Sequence, residues 1–377
     1  MDGPPLKGIR VVEFARILAG PWAGQVLADL GAEVIKVEAP LGDDTRRWGP
    51  PFVDYQDGGR DAAYFHAANR NKRSRIVNFS TPRGQAEAHA LVQDADVVIE
   101  NFKVGGLRKF GLDYQSLAAL NPRLVYCSIT GFGQDGPYAK RAGYDFIVQG
   151  MSGIMDLTGE ADGPPQKIGV AYADVMTGLY AVIGIPAALA ERERSGRGQH
   201  IDVSLLDVMV GTLANQAMNY LTSGAPPKRL GNAHPNIAPY EAFCTSDSWI
   251  ILAVGNDAQF ARLCEVLSLE PVAEFATNAG RVARREALSA LIAEAVTGWR
   301  RDDLLARLEG EGIPAGPINS VADAFADPHV RHRGMALEMS DPAGNVIPGV
   351  KLPIRFSRSA LADPEPSPRL PHRDAGE

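Results

Sequence analysis

The chain has 377 residues, of which 45% are hydrophobic, and this length allows two or three domains with sizeable cores. Its 38 Lys and Arg against 45 Asp and Glu give a formal net charge of -7, which argues against generic nucleic-acid binding. The three cysteines are an odd number without CxxC spacing, which excludes a disulfide-stapled module and argues against a structural zinc site. We expect all three to be reduced thiols in or near the core.

The first ten residues show neither the apolar segment of a secretory signal nor an Arg- and Ser-rich transit stretch, so we expect a cytoplasmic protein. The longest apolar stretch, residues 178–190, contains Pro186 and is shorter than the roughly 20 residues of a spanning helix. We therefore expect no membrane association.

Short apolar strands alternate with helical segments through the first part of the chain. The predicted strands are residues 9–15, 33–39, 75–79, 96–102 and 123–130, and the predicted helices are residues 22–30, 82–94 and 114–120. This alternation is typical of a mostly parallel sheet covered by helices. We predict a large α/β domain of the doubly wound type over residues 1–222, with helical periodicity in residues 203–224.

A Pro- and Gly-rich break at residues 223–239 predicts a domain boundary. The strands and helices that follow it indicate a smaller α+β domain over residues 223–330. Residues 331–377 are predicted to return to the sheet of the large domain through two strands, and to end in a disordered tail over residues 363–377.

Gly131, Gly133 and Gly136 match the GxGxxG pattern of a dinucleotide site after a strand. Pro137 follows directly, and the next residues do not form the long helix whose N-terminus would hold a pyrophosphate. We interpret the string as a Gly-rich surface loop.

Four cations lie within residues 70–75, in the string NRNKRSR. Such a run is usually a solvated loop. At the mouth of an α/β sheet it is also a candidate phosphate clamp, because Arg offers forked donors and Lys a point charge. Lys103, Arg108 and Lys109 follow a neighbouring strand and could contact the same anion, which suggests a ligand with several phosphates.

Asp174 comes just before an apolar helix, which allows two compatible interpretations. It could be the N-cap, accepting the backbone N–H groups of the first turn. It could also be a nucleophile, because a carboxylate kept ionised at a helix N-terminus can attack an activated acyl group.

Several strings, taken in order, resemble the class III CoA-transferase family, the formyl-CoA and carnitine CoA-transferase group. They are VVEFARILAGPWAGQVLADLGAEVIKVEAP, GDDTRRWGPPF, NRNKRS, ENF, YCSITGFGQDGPY with GYDFIVQG, AYADVMTG and GRGQHIDVSLLD. The resemblance extends to about residue 355. GDDTRRWGPPF and GNAHPNIAPY are most similar to members that move CoA between dicarboxylic acids, such as the succinyl-CoA:glutarate enzymes.

The resemblance implies an interlocked homodimer, in which a Rossmann-like large domain uses both ends of the chain and a small domain uses its middle. It implies that Asp174 is the nucleophile and passes through an aspartyl-CoA thioester, with CoA thioesters as substrates and no metal or resident cofactor. The positions that match CoA-binding segments of the family are Arg16, Ile17, Leu18, Ala68, Asn69, Asn71, Lys72, Arg73, Asn101, Phe102, Lys103, Lys109, Ala142, Gly143, Tyr144 and Asp145.

A dicarboxylate acceptor needs donors for its second carboxylate, and the candidates are Arg46, Arg47, Asn232 and His234. The two arginines could instead pair with neighbouring aspartates, and His234 could simply shape its loop.

Three departures from the family stand out: Ala39 replaces a frequent Arg, Pro186 predicts a helix kink, and RLPHRDAGE replaces the usual C-terminal segment. One alternative is an α-methylacyl-CoA racemase of the same fold, whose second acid or base is usually a His where this chain has Tyr144. Another is a non-catalytic CoA-binding protein, which the loss of Asp174 would have favoured.

Overall fold

The computed structural model describes residues 3–371. By its internal contacts the chain divides into two compact units. The first consists of Met1–Ile154, Lys167–Met218 and Pro328–Glu377, and the second of Met155–Gln166 and Asn219–Asp327. The segment 155–166 thus belongs to the second unit, although it lies within the range 1–222 predicted for the large domain.

A six-stranded parallel sheet in the order β5-β2-β1-β6-β7-β8 lies at the centre of the first unit, and β3 and β4 form a separate antiparallel pair. The strands are β1 (Arg10–Glu13), β2 (Glu33–Glu38), β3 (Phe52–Asp54), β4 (Arg60–Ala62), β5 (Lys72–Ile76), β6 (Val97–Glu100), β7 (Val125–Thr130) and β8 (His200–Ser204). The predicted parallel α/β sheet is confirmed. Its strand order reverses between β1 and β6, and open α/β sheets bind ligands at the carboxyl ends of such strands.

Helices cover both faces of this sheet. The helices of the chain through residue 223 are α1 (Ala19–Asp29), α2 (Ala63–His66), α3 (Pro82–Gln93), α4 (Tyr114–Leu120), α5 (Asp145–Met151), α6 (Ile154–Leu157), α7 (Tyr172–Ser195), α8 (Leu205–Gly211) and α9 (Ala214–Ser223); most of α6 and the second half of α9 belong to the second unit. Val11, Ile99 and Val125 face the core beneath α1 and α7, whereas Val12 and Val98 face the core beneath α3 and α4.

Helix α7 has 24 residues and continues through Pro186. By length and hydropathy (1.6 in its most apolar window) it could cross a bilayer, a property that core helices share. Ala181, Ile185 and Ala188 are buried in the core of the first unit, and α7 packs against α1 and β7. These contacts are those of a core helix.

The second unit has an antiparallel sheet in the order β11-β10-β9. Its strands are β9 (Tyr240–Cys244), β10 (Trp249–Ala253) and β11 (Ala315–Pro317), and its helices are α10 (Asp257–Leu267), α11 (Asn278–Ala283), α12 (Arg285–Val296), α13 (Arg301–Gly310) and α14 (Val321–Ala326). The chain then returns to the first unit with α15 (Pro328–Arg333), β12 (Ala336–Ser340) and β13 (Val346–Val350).

The structure corrects two predictions about strands. Residues 200–204 form β8, the edge strand of the parallel sheet, and the helical periodicity predicted from residue 203 therefore begins too early. Strands β12 and β13 pair with each other in a two-stranded sheet and do not extend the large sheet as predicted.

The predicted disordered tail is wrong for residues 363–371. Asn71 N donates to Glu365 O (3.1 Å), and Arg46 Nη2 donates to Pro368 O (3.0 Å), so this segment docks on the first unit. Residues 372–377 of the predicted tail lie outside the described residues. All three cysteines are free, but Cys244 is exposed at the end of β9, so its predicted place in the core is also wrong.

Candidate active site

Asp174 lies in the first turn of α7 and is not the N-cap of that helix. Ala171 occupies the N-cap position and makes no side-chain hydrogen bond there. The capping acceptor comes instead from α5, where Asp145 Oδ1 accepts Ala173 N (2.8 Å) and Asp174 N (3.3 Å). Asp145 therefore performs the capping expected of Asp174.

The buried side chain of Gln149 holds Asp145 in place. Its Nε2 donates to Asp145 Oδ2 (2.7 Å), and its Oε1 accepts the backbone N–H of Ile168 (2.9 Å). One amide thus connects α5 to the segment that leads into α7, and the N-terminus of α7 is fixed by partners far away in the sequence.

The electrostatic environment of Asp174 disfavours its charged form. Burial, and secondly the nearby Asp145 carboxylate, raise its pKa to about 7. At neutral pH both forms are populated, and the carboxylate form is poorly stabilised by its surroundings. A carboxyl group with such a pKa suits a nucleophile better than a structural acid.

The sequence interpretation missed two aromatic residues of this site. The pKa of Tyr64 is raised to about 12 by burial and then by the carboxylates of Asp174, Asp145 and Asp43, which places its phenol in their common field. The ring of Trp48 lies edge-on to Tyr64, with centroids 5.5 Å apart. Trp48 stands in the quoted string GDDTRRWGPPF, whereas no sequence signal connects Tyr64 to Asp174.

The loops after β1 and β6 meet where the strand order reverses. Asn101 Oδ1 accepts Arg16 N (2.9 Å), and Asn101 Nδ2 donates to Arg16 O (2.7 Å). The guanidinium of Arg16 lies 5.6 Å from the ring centroid of Phe102. The predicted binding residues Arg16, Asn101 and Phe102 are therefore together, and the carboxylate of Asp43, which bonds Ile17 N in this loop, also acts on Tyr64.

Two glycines bring the predicted segment 142–145 close to the end of β7. A Cβ added to Gly131 would lie 2.5 Å from Gly143 Cα, so the two backbones can approach this closely only with glycine. This close approach explains the first glycine of the GxGxxG-like string without a dinucleotide. Next to Gly143, Ala142 and Tyr144 are exposed.

The basic loop is largely buried, which corrects the prediction of a phosphate clamp at Lys72. Its ammonium donates to Glu13 Oε2 (2.8 Å), Pro21 O (2.8 Å) and Asn69 Oδ1 (2.9 Å), which uses all three protons. Ala68 and Asn69 are also fully buried. Lys72 therefore neutralises Glu13 inside the fold rather than a phosphate outside it.

Of the other cations predicted for the phosphate site, Arg70 is buried against Asp29, whereas Arg73, Lys103 and Lys109 face solvent. The Arg73 side chain is 80% exposed and lies 3.2 Å from Glu33, and Lys103 and Lys109 are exposed on the loop after β6. Asn71 is half-buried and bonds Asp29, while Leu18 is buried just before α1. Arg73 points to Glu33 at the amino end of β2, so anion binding at the crevice falls to Arg16, Lys103 and Lys109.

Arg46 does not present a free guanidinium to an acceptor, which corrects that assignment. It is buried, bonds both oxygens of Glu38 (2.8 and 2.7 Å) and lies 2.8 Å from Asp61. Arg47 is half-exposed and bonds Asp44 (2.9 Å), the alternative pairing considered above.

The other two acceptor candidates belong to the second unit. Asn232 is exposed. His234 Nδ1 accepts Asn236 N (3.1 Å), and its ring packs 5.2 Å from that of Tyr240. His234 thus shapes its own loop, as considered above.

Comparison with known proteins identifies relatives along the whole chain. Residues 6–373 match CoA-transferase family III. The chain is 58% identical over 377 residues to a succinate–glutarate CoA-transferase of Agrobacterium fabrum, covering 99% of this chain and 94% of that protein. It is 44% identical to a succinyl-CoA:glutarate CoA-transferase of Mus musculus, covering 97% and 84%. The crystal structure of a CAIB/BAIF family protein from Brucella suis superposes with a TM-score of 0.88 at 60% identity, covering 98% of this chain and 97% of that one.

Proposed function

We propose, from the premise that this chain belongs to CoA-transferase family III, that it transfers CoA from succinyl-CoA to a dicarboxylic acid. The family resemblance drawn from the sequence strings is thereby confirmed. The observation that carries the proposed chemistry is Asp174, a largely buried carboxyl group whose pKa is raised to about 7 by burial and then by the carboxylate of Asp145. CoA thioesters are the substrates of this proposal.

The proposed reaction uses Asp174 as the only covalent group. Its carboxylate attacks the thioester carbonyl, and the C–S bond breaks to give a mixed anhydride and CoA thiolate. The thiolate attacks the Asp174 carbonyl, which releases the donor carboxylate and leaves an aspartyl-CoA thioester. The acceptor carboxylate then repeats both steps in reverse order and restores the Asp174 carboxylate. Every bond broken is replaced by a bond of the same kind, so the protein has mainly to align the groups and exclude water.

The crevice between the loops after β1 and β6 supports the binding of the CoA nucleotide. Arg16, Lys103 and Lys109 place three exposed cations around it, and the sheet reverses its strand order there. Phosphates bound by exposed cations are sensitive to salt. We expect Lys103→Ala and Lys109→Ala to raise the KM for succinyl-CoA more than they lower kcat, and to do so less as the salt concentration rises.

The acceptor is proposed to be a dicarboxylate such as glutarate. With Arg46 committed to Glu38 and Asp61, the candidates that remain for the second carboxylate are Arg47 in the first unit or, as separate alternatives, Asn232 or His234 in the second. A site built for two carboxylates leaves its donors unpaired when a monocarboxylate binds, which is costly. The test compares glutarate and butyrate as acceptors with succinyl-CoA, with acyl-CoA products followed by mass spectrometry.

We expect kcat/KM to be larger for glutarate by about 100-fold or more. Equal values for the two acids would remove the dicarboxylate assignment and leave CoA transfer intact. Exchange of the α-proton of an acyl-CoA with deuterated buffer, without any transfer, would favour the racemase instead.

The homodimer is also a proposal, supported by exposed apolar side chains on α5, on α7 and in the segment before α7. Phe146 (60% exposed), Ile147 (47%), Val170 (60%) and Ile183 (66%) lie on α5, on α7 and on the segment before α7. Such clusters mark interaction surfaces. Mass determination in solution tests this proposal, with twice the chain mass expected. The cytoplasmic location stays a prediction.

A further inference from the structure

Buried charges of alternating sign lie directly beneath the loop after β1. Lys36 Nζ donates to Glu13 Oε1 (3.1 Å) and to the carbonyl oxygen of Ala15 (3.1 Å), and it lies 2.9 Å from Asp43 Oδ2. Glu13 and Lys36 have no solvent exposure, and Asp43 is 2% exposed. The three protons of the ammonium group thus have three acceptors, so Lys36 is satisfied without any ligand.

Asp43 connects Lys36 to the backbone of the loop after β1. Its Oδ2 accepts Ile17 N (3.2 Å), and its Oδ1 accepts Thr45 N (3.0 Å) and Thr45 Oγ1 (2.8 Å). Ile17 has φ 72°, in the left-handed region that a β-branched residue rarely adopts. Such a conformation persists only where surrounding contacts hold it, and it is common at functional sites.

The opposite side of the loop is held by Asn101, whose side chain bonds both the N–H and the carbonyl of Arg16. Two consecutive residues are therefore fixed from two directions, by β6 and by the segment after β2. Because this loop borders the crevice at the strand-order reversal, its backbone decides the shape of the crevice.

The charge on Lys36 persists at neutral pH. Burial lowers its pKa, but the carboxylates of Glu13, Asp43 and Glu38 together raise it above its ordinary value. Removing Lys36 would therefore leave Asp43 without its buried counter-charge and would weaken its hold on Ile17.

We infer that Lys36 is a positioning residue, which acts through Asp43 to hold Ile17 in its left-handed conformation and so shapes the crevice for the acyl-CoA. This inference rests on the proposed function, because it takes the crevice to be the CoA site. Lys36 itself touches no substrate.

The test measures steady-state kinetics with succinyl-CoA and the calorimetric Kd for free CoA. Lys36→Met removes the charge and keeps an unbranched chain, and we expect the KM and the Kd to rise about tenfold or more, with a smaller loss in kcat. Asp43→Asn should change both constants in the same direction. Adding Ile17→Gly to Lys36→Met should recover part of the loss, because glycine adopts φ near 72° without being held. Lost stability alone would not be repaired in this way.

Arg281→Met is the matched control, because Arg281 in the second unit is equally buried and pairs with Asp257 (2.7 Å). It should lower the Tm and leave the KM within about twofold of that of the unchanged protein. A folded Lys36→Met variant with unchanged KM and Kd would overturn the inference. If this variant does not fold, unchanged constants for Asp43→Asn overturn it. If the unchanged protein transfers no CoA, the proposed function fails, and the Kd values for CoA still decide the role of Lys36.

Discussion

Two groups of buried carboxylates in the first unit differ in their partners. Under the loop after β1, Glu13 and Asp43 share Lys36, and Glu38 bonds Arg46. At the start of α7, the charged group that acts on the pKa of Asp174 is another carboxylate, that of Asp145. In the first group nearby cations hold the pKa of Asp43 and Glu38 below their ordinary values despite burial, whereas in the second the pKa of Asp174 rises.

This difference separates structural acids from a reactive one. A buried carboxylate with a counter-charge is already stabilised, and it gains little by bonding to anything else. A buried carboxylate beside a like charge is destabilised as an anion, and it becomes more stable when it forms a neutral acyl derivative. This contrast supports the proposal that the acids under the loop hold the site in place and that Asp174 is the nucleophile.

The largest expected effect is that of Asp174→Ala on activity. Because no other covalent group is proposed, turnover should fall by more than about a thousandfold. Since Asp145 supplies the helix cap, the fold should not lose the ~1 kcal/mol of a missing N-cap. Transfer assays and thermal melts check both statements. A folded variant that keeps more than about a thousandth of the activity would contradict the assignment.

The carboxylates that have counter-charges are tested by Arg46→Met. This substitution leaves the carboxylates of Glu38 and Asp61 buried without the guanidinium that pairs with them. We expect the free energy of unfolding to fall by about 3–5 kcal/mol. Arg47→Met is the control, because the side chain of Arg47 is 54% exposed and the change should stay within about 0.5 kcal/mol. Denaturant titration of both variants measures the free energy of unfolding. Equal losses of this free energy would mean that burial does not distinguish Arg46 from Arg47.

The carboxyl group of Asp174, which has no counter-charge among its pKa determinants, gives a prediction about stability. Asp174→Asn should be more stable than the unchanged protein, and this difference should grow as the pH rises. A folded pKa of about 7, above the ordinary 3.8, means that the fold binds the proton more tightly than the unfolded chain does. Stability is therefore lost as pH rises toward 7, by up to ~4 kcal/mol. Asparagine avoids this loss, so its gain in Tm should be clear at pH 8 and small at pH 4. A gain in Tm that is the same at pH 4 and pH 8 would contradict this explanation.

The smallest expected effect is on the pH profile of Asp145→Asn. Burial is the larger cause of the raised pKa of Asp174 and the Asp145 carboxylate is the second, so removing the charge of Asp145 should lower that pKa only in part. The acid limb of kcat/KM should then move to lower pH by the same amount. Asp207→Asn, an exposed aspartate in the first turn of α8, should leave that limb in place. An unmoved limb in both variants would show that Asp145 does not act on Asp174.

The alternation of strands and helices could be predicted from the sequence because each element carries its own apolar pattern. Strand β8 could not, since its burial depends on pairing with β7 and Gly198 stands just before it. A Cβ on Gly198 would lie 1.9 Å from Leu124 O, so this glycine permits a close contact that resembles a turn in the sequence.

Asp174 was recognisable from its place before an apolar helix and from its motif. The burial of Lys72 was not, because its partner Glu13 is 59 positions away and a basic run usually faces solvent. The capping of α7 by Asp145 and the docking of Glu365 on Asn71 likewise join segments that are distant in sequence. Local patterns therefore predicted most of the elements and point to Asp174 as the proposed nucleophile, whereas long-range contacts decided which charges are paired.

The covalent intermediate can be tested directly by trapping it. The protein is incubated with succinyl-CoA and treated with hydroxylamine, which attacks an aspartyl-CoA thioester to give a hydroxamate and free CoA, and the peptide containing Asp174 is then analysed by mass spectrometry. We predict a hydroxamate on Asp174, dependent on succinyl-CoA and absent in Asp174→Asn. A hydroxamate on another carboxylate, or none under conditions where transfer proceeds, would contradict the account.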